Sequence, residues 1–350
     1  MTAHIPRSAH PRAARRGAST AILAFAAALV LLGCNGFASA TETRVNGTVL
    51  TPSNVAANAP ASPAVATTAT PASRERVVHL VPPPQGVPPT QPVRVAPPVL
   101  SAQAAIVVDD ASGAVLFDHQ SRLSLPPASL TKIATAALAI DRGKLDAVVT
   151  IDFPLDSPAL DDATEMGLKG GDRFKLRDLI YGMLLPSGAD ASLAIVHAIS
   201  GSEGAYVREM NSFMESLGLF DTRFIDPHGV GGPLHRSTAY DMAMLSRYAM
   251  RQPLFAQAAR TDEYRAVGSR TITVGNTNPW MFGYRGADGI KSGFTEEAGA
   301  TLAASATRNG HRVIVVVLNA SLRNQDTTAL MDWAFDTFCW GDGQLGCAPR

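Results

Sequence analysis

The chain has 350 residues, and its 30 basic side chains balance 30 acidic ones. A nucleic-acid binder needs a basic surplus to neutralise phosphates, and this chain has none. Hydrophobic residues make up 46%, ample for a globular core of one or two domains, and no interior stretch resembles a transmembrane span of ~20 residues. Of the cations only five are lysine: Lys132, Lys144, Lys169, Lys175 and Lys291. Lysine can lose its proton when desolvated and arginine in practice cannot, so a lysine inside a chemical motif is informative.

Residues 1–34 read as an export signal. Arg7, Arg12, Arg15 and Arg16 form an acid-free start, and an apolar stretch runs from about Ala21 to Leu32. Two cleavage readings compete. Leu31-Leu32-Gly33-Cys34 is similar to a bacterial lipobox, in which the cysteine thiol is acylated and becomes the new N-terminus. Ala38-Ser39-Ala40 is an A-x-A site that would release a free protein. All four lipobox positions fit and the apolar stretch ends directly at them, which favours a lipid anchor at Cys34. Asn35 is not the aspartate of an inner-membrane retention signal, so the expected destination is the cell envelope or periplasm, with the outer membrane where there is one. Removing residues 1–34 takes away four arginines and no acid, leaving 26 basic against 30 acidic residues and a net charge of −4.

Residues 35–100 read as a linker. Twelve of the 24 prolines lie between Pro52 and Pro98, and the rest is mostly Ala, Thr, Val and Ser. Such a segment cannot bury enough surface to offset its chain entropy, so an extended, partly polyproline-II tether is expected. The folded domain then covers residues 101–350. Gln103–Asp109 and Ala114–Asp118 alternate like paired strands around Asp110-Ala111-Ser112-Gly113. An apolar helix is predicted from about Ser129 to Asp141, with others at Lys175–Leu185, Ala191–Ile199, Glu203–Leu217 and Thr238–Met250. Gly286–Gly293 reads as a strand. Ala300–Thr307 and His311–Leu318 form a hairpin across Arg308-Asn309-Gly310, since Asn-Gly is a strong turn signal. Thr327–Phe338 is a terminal helix. Helices in the middle, with a sheet assembled from both ends, indicate an α+β fold.

Three short segments carry chemistry. In Ser129-Leu130-Thr131-Lys132 the i, i+3 spacing puts the hydroxyl beside the amine on one helix face. The apolar residues that follow imply burial, which lowers a lysine pKa and makes it a candidate base for a serine nucleophile. Pro186-Ser187-Gly188-Ala189-Asp190 lies at a turn between two helices. Asp288-Gly289-Ile290-Lys291-Ser292-Gly293-Phe294 lies on a strand, where small glycines admit a ligand backbone and Lys291 with Ser292 suits a carboxylate.

The order S-x-x-K, S-x-x, K-S-G resembles the serine penicillin-recognising enzymes. Pro127–Lys132, Gly286–Thr295, Asp226-Pro227-His228-Gly229 and His235–Ala243 are similar to the low-molecular-weight penicillin-binding D-alanyl-D-alanine carboxypeptidases. The resemblance implies a transpeptidase-like fold, with a five-stranded antiparallel sheet and a helical subdomain. It implies Ser129 as acyl-forming nucleophile, Lys132 as its base and Ser187 as proton relay. It implies Lys291, Ser292, Gly293 and Phe294 as substrate-binding residues, with the N–H groups of Ser129 and Phe294 as oxyanion hole. It implies peptidoglycan stem peptides as substrate and β-lactams as covalent inhibitors, with no cofactor and no metal. Many relatives also carry a second domain and a C-terminal anchor; with 57 residues after Gly293, both are expected to be absent here. Ala189 departs from the family, standing where asparagine is usual, with Asp190 one position along.

The leading expectation is therefore a carboxypeptidase that trims the terminal D-alanine. The alternatives are a D,D-endopeptidase on cross-links and a non-catalytic cell-wall-binding lipoprotein, the latter prompted by Ala189. A class A β-lactamase is disfavoured, because no glutamate after Ser187 has the E-x-x-L-N context. His228 and His235 read as loop or cap residues rather than metal ligands, Asp241 as structural, and Trp280 and Tyr284 as core packing. With Cys34 acylated or removed, Cys339 and Cys347 remain; in an oxidising compartment they can close a small loop, and otherwise stay as thiols.

Overall fold

The computed structural model describes residues 84–155 and 163–341. The export signal, Cys34 and both cleavage readings, the linker as far as residue 83, and Cys347 with its expected pairing lie outside the described residues.

The chain opens with β1 (Ala102–Asp109) and β2 (Val115–His119), followed by a 3-10 turn (Ala128–Leu130) that leads into α1 (Thr131–Arg142). A short pair, β3 (Val148–Thr150) and β4 (Arg173–Lys175), precedes α2 (Leu176–Leu184), α3 (Ala189–Ser200), α4 (Glu203–Ser216), α5 (Ala239–Ala249) and α6 (Pro253–Ala259). The hairpin β5 (Glu263–Val267) and β6 (Thr271–Gly275) and the one-turn α7 (Pro279–Gly283) lead to β7 (Ala287–Thr295), β8 (Gly299–Arg308), β9 (His311–Ala320) and α8 (Arg323–Thr337). Five strands form one antiparallel sheet in the order β2-β1-β9-β8-β7, so β7 is an edge.

The apolar runs of the central strands have a simple cause. On β9, Ile314, Val316 and Leu318 face the core shared with the helical subdomain, while Val313, Val315 and Val317 face α8. The period of two divides β1 in the same way, Ile106 and Val108 on one side and Ala105 and Val107 on the other. A strand covered on both faces needs no polar residues, so the alternation expected of a half-exposed strand is absent. The β8–β9 hairpin closes through Asn309 and Gly310 at φ 50° and 82°, and Arg308 pairs with His311. Both turn residues are left-handed, as a two-residue hairpin matching the sheet twist requires.

Within the helical subdomain α1 is buried over Thr131–Ala139. Thr238 caps α5 by accepting the Asp241 N–H at 3.0 Å, and Gly201 ends α3 at φ 71°. Two hairpins escaped the sequence reading. In β3 and β4 only Val149 and Phe174 turn inward, and in β5 only Ala266 is fully buried, so periodicity had too few positions to register.

Residues 84–100 were expected to belong to the tether, yet this strip is attached to the domain. Gln85 N–H donates to the Ala111 carbonyl at 2.8 Å, and Thr90 exchanges two backbone bonds with Cys339 at 2.7 and 2.9 Å. The Trp333 indole donates to the Val95 carbonyl at 3.2 Å. Prolines keep the strip extended and deny it a continuous ladder. Among the described residues the boundary therefore falls before residue 100.

Candidate active site

Ser129 lies in the 3-10 turn at the mouth of α1, two residues before the helix proper. The expected juxtaposition forms nevertheless: Lys132 Nζ is 3.2 Å from Ser129 Oγ. The turn is shaped by Ala128, at a left-handed φ of 51°, and by Thr131 Oγ1, which donates to the Ala128 carbonyl at 2.8 Å. A non-glycine residue in that region stores about 1–2 kcal/mol of strain, here immediately before the nucleophile candidate.

Lys132 is 2% exposed. Burial pushes its pKa down to about 8, partly opposed by the nearby charges of Asp226 and Asp190. Its other partner is the His228 carbonyl, at 2.7 Å. Asp226 builds the loop that presents this carbonyl. Its carboxylate accepts the N–H groups of His228, Gly229 and Gly231 at 2.9, 2.5 and 2.6 Å. Burial alone would raise this carboxyl, but His228 and His235 beside it outweigh burial and hold it well below the usual range. The two histidines thus flank a carboxylate, and His235 also meets Thr131 Oγ1 at 2.7 Å. Gly229 is required here: at φ 90°, a Cβ on it would lie 2.0 Å from the Ala128 carbonyl oxygen.

Ser187 Oγ donates to Ser129 Oγ at 3.0 Å. Ser187 is itself left-handed, at φ 67°. The turn carrying it is fixed by Asp190, whose carboxylate accepts the N–H groups of Met166, Gly167, Leu168 and Ala191 at 2.7–2.8 Å. Asp190 is therefore a clamp between α3 and the preceding loop, and does not replace the family asparagine. Ala189 is buried against Leu193, Phe153 and Ala163. Thr164 lines the cleft nearby, and its hydroxyl donates to the Ser187 carbonyl at 3.0 Å.

The facing wall is β7. Lys291, also 2% exposed, donates to the Ser292 carbonyl at 2.9 Å. Burial, then the charges of Lys132 and Arg323, push its pKa down to about 7. A Cβ on Gly293 would stand 2.5 Å from Thr301 Oγ1 and 2.9 Å from the Ser129 nitrogen, so only glycine lets strand and nucleophile turn approach this closely. Phe294 is 65% exposed at the cleft lip. Arg323, at the start of α8, donates to the Gly293 carbonyl at 2.7 Å and lines the same cleft. It follows the K-S-G motif by thirty positions on another element, so no local spacing could have marked it. Trp280 stacks on Tyr284 with ring centroids 4.8 Å apart and bonds Thr328, which is core packing.

These groups enclose a cleft of about 670 Å³. It holds a hydroxyl with a buried amine on one side and a second hydroxyl on the other. The Lys291 amine, the Ser292 hydroxyl and the Arg323 guanidinium stand opposite. That set can generate an alkoxide and receive an anionic end group.

Residues 91–322 match the family model described as D-alanyl-D-alanine carboxypeptidase. The chain is 34% identical over 248 residues to D-alanyl-D-alanine carboxypeptidase DacF of Bacillus subtilis, covering 68% of this chain and 63% of that protein. It is 34% identical over 264 residues to DacC of Escherichia coli, covering 69% and 63%. The chain thus spans a little under two thirds of the length of these relatives. Among solved structures, the Streptomyces K15 DD-transpeptidase superposes with a TM-score of 0.66 at 31% identity, covering 69% of this chain and 99% of that one. Penicillin binding protein 6B from Escherichia coli gives 0.64 at 33%, covering 70% and 80%.

Proposed function

The chain belongs to the D-alanyl-D-alanine carboxypeptidase family, and from that premise we propose that it is a serine D,D-carboxypeptidase acting on peptidoglycan stem peptides. The observation that carries this reading is the hydrogen-bonded set Lys132–Ser129–Ser187, at 3.2 and 3.0 Å, facing Lys291 and Ser292 across one cleft. Family membership further supports an extracellular or periplasmic site of action and covalent capture by β-lactams. Anchoring through Cys34 is part of the proposal, and rests on the lipobox sequence.

The terminal carboxylate of the substrate docks at Ser292, Lys291 and Arg323. The peptide extends along the open edge of β7, as peptides add to exposed strand edges. Ser129 Oγ attacks the penultimate carbonyl while its proton passes to neutral Lys132. The oxyanion that develops is met by the N–H groups of Ser129 and Phe294. Collapse breaks the C–N bond while Ser187 passes a proton to the leaving amine and takes in return the one held by Lys132; water then adds to the ester, giving a proton to the neutral Lys132, which returns it to Ser129 Oγ as the ester bond breaks.

The two lysines make docking and chemistry interdependent. In the free enzyme burial pushes both lysines toward the neutral form, Lys132 to about 8 and Lys291 to about 7, and the charge of Lys132 adds to the shift of Lys291. An arriving carboxylate favours the charged form of Lys291, and charged Lys291 disfavours the charged form of Lys132. Substrate binding thus biases the pair toward charged Lys291 and neutral Lys132.

D-Alanine release from a synthetic pentapeptide tests the reading: turnover should vanish in Ser129→Ala. Persisting turnover in that variant would refute it. A D,D-endopeptidase would instead prefer cross-linked muropeptides in the same assay.

A further inference from the structure

Charge along the cleft is asymmetric. Its lining cations, Lys132, Lys291 and Arg323, gather around Ser129 and Ser292, where the anionic end of a substrate belongs. Among the described residues one acid lines the cleft, Glu296, just past the end of β7. The neighbouring Glu297 is occupied by Arg236 at 3.2 Å, while Glu296 has no hydrogen-bond or ionic partner among the described residues. Among the described residues the other charged groups of the lining are all positive, and an unpaired carboxylate beside them is poised for a cation that arrives with the ligand.

Its place just beyond the strand says which part of the ligand that is. The strand continues from Ser292 to Thr295, about 10 Å at 3.3 Å per residue, and Glu296 opens the turn that follows. A peptide lying antiparallel on the β7 edge, with its terminal carboxylate at Ser292, sends its upstream residues toward Glu296. The scissile bond lies between the two. An upstream residue with an amine on a flexible stem can then reach the carboxylate.

We propose that Glu296 is a specificity-determining residue that selects acyl donors bearing a free side-chain ammonium upstream of the scissile bond. The inference rests on the carboxypeptidase reading for the direction of the bound peptide. A charge pair in a water-filled cleft mouth is a modest interaction, so the preference over a neutral donor should be roughly 3- to 5-fold in kcat/KM.

The test uses two peptides ending in Lys-D-Ala-D-Ala, one with the lysine side-chain amine free and one with it acetylated. Two readouts are taken, D-alanine release and the slowing of fluorescent-penicillin labelling of Ser129. The free amine should be favoured by wild type, the preference should fall toward unity in Glu296→Gln, and it should invert in Glu296→Lys. Glu297→Gln should retain it. Penicillin labelling reports that each variant is folded. A preference absent from wild type, or unchanged in Glu296→Gln, overturns the inference. If neither peptide is hydrolysed but both still slow labelling, the carboxypeptidase reading fails, and the competition ratio still judges Glu296.

Discussion

The two walls of the cleft are secured by different means. The strand wall, β7, is laced to β8 from Ala287 to Thr295 by a backbone ladder, and its side-chain ties, from Asp288 to Ser305, Thr307 and Arg312, lie at the start of the strand, before the residues that line the cleft. The helical wall has no such ladder at the site. It depends on two buried carboxylates, Asp190 and Asp226, each of which gathers several backbone N–H groups and so shapes the turn that bears Ser187 or the loop that bears the His228 carbonyl. The contrast teaches that on the helical side stability and catalysis share the same residues, whereas on the strand side they separate.

Asp190→Ala should separate the walls most clearly. It strips the acceptor from four N–H groups, three of them on the loop beside the cleft, and a hydrogen bond to a charged group contributes about 1.5–3 kcal/mol net, part of which water recovers where the freed groups become accessible. A loss of at least about 3 kcal/mol in chemical denaturation is expected, together with at least a ~10-fold slower acylation. Gly293→Ala should show the opposite profile. The new Cβ presses on Thr301 and the Ser129 nitrogen, so acylation by penicillin should slow ~100-fold while stability changes by only about 1–2 kcal/mol. Equal stability losses in the two variants would erase the distinction.

The lysines link the walls, and pH should reveal it. Below about 7 both carry protons and Lys132 cannot accept one from Ser129; above about 8 both are neutral and the anion site keeps only the charge of Arg323. The kcat/KM for pentapeptide should rise with pH through about 7 and fall above about 8, giving a narrow bell for the free enzyme. A profile that keeps rising beyond pH 9 would remove the role given to charged Lys291. The smallest effect is assigned to Thr164→Val, which deletes one hydrogen bond to the Ser187 carbonyl at an exposed position and should cost about 0.5–1 kcal/mol, with a few-fold loss of rate.

Much of this was legible in the sequence. The Ser129–Lys132 spacing, the Asn309-Gly310 turn and the runs of β1 and β9 are local patterns, and each fixed its element or its pair. Asp190 and Asp226 were visible as residues, but their roles depend on backbone N–H groups brought to them by loops, which no spacing encodes. Arg323 joins the site only because α8 packs on β8 and β9, which brings its first residue to the Gly293 carbonyl. The proline-rich strip near Thr90 looked like free tether because its bonds are to Cys339, some 250 residues away.

The central claim is that Ser129 forms the acyl-enzyme. Intact-mass analysis after benzylpenicillin, followed by fragmentation of the tryptic peptide Leu123–Lys132, measures it directly. One penicilloyl group placed on Ser129, and none on Ser129→Ala, is the predicted result. An adduct on another residue, or no adduct on a folded wild-type protein, would contradict it.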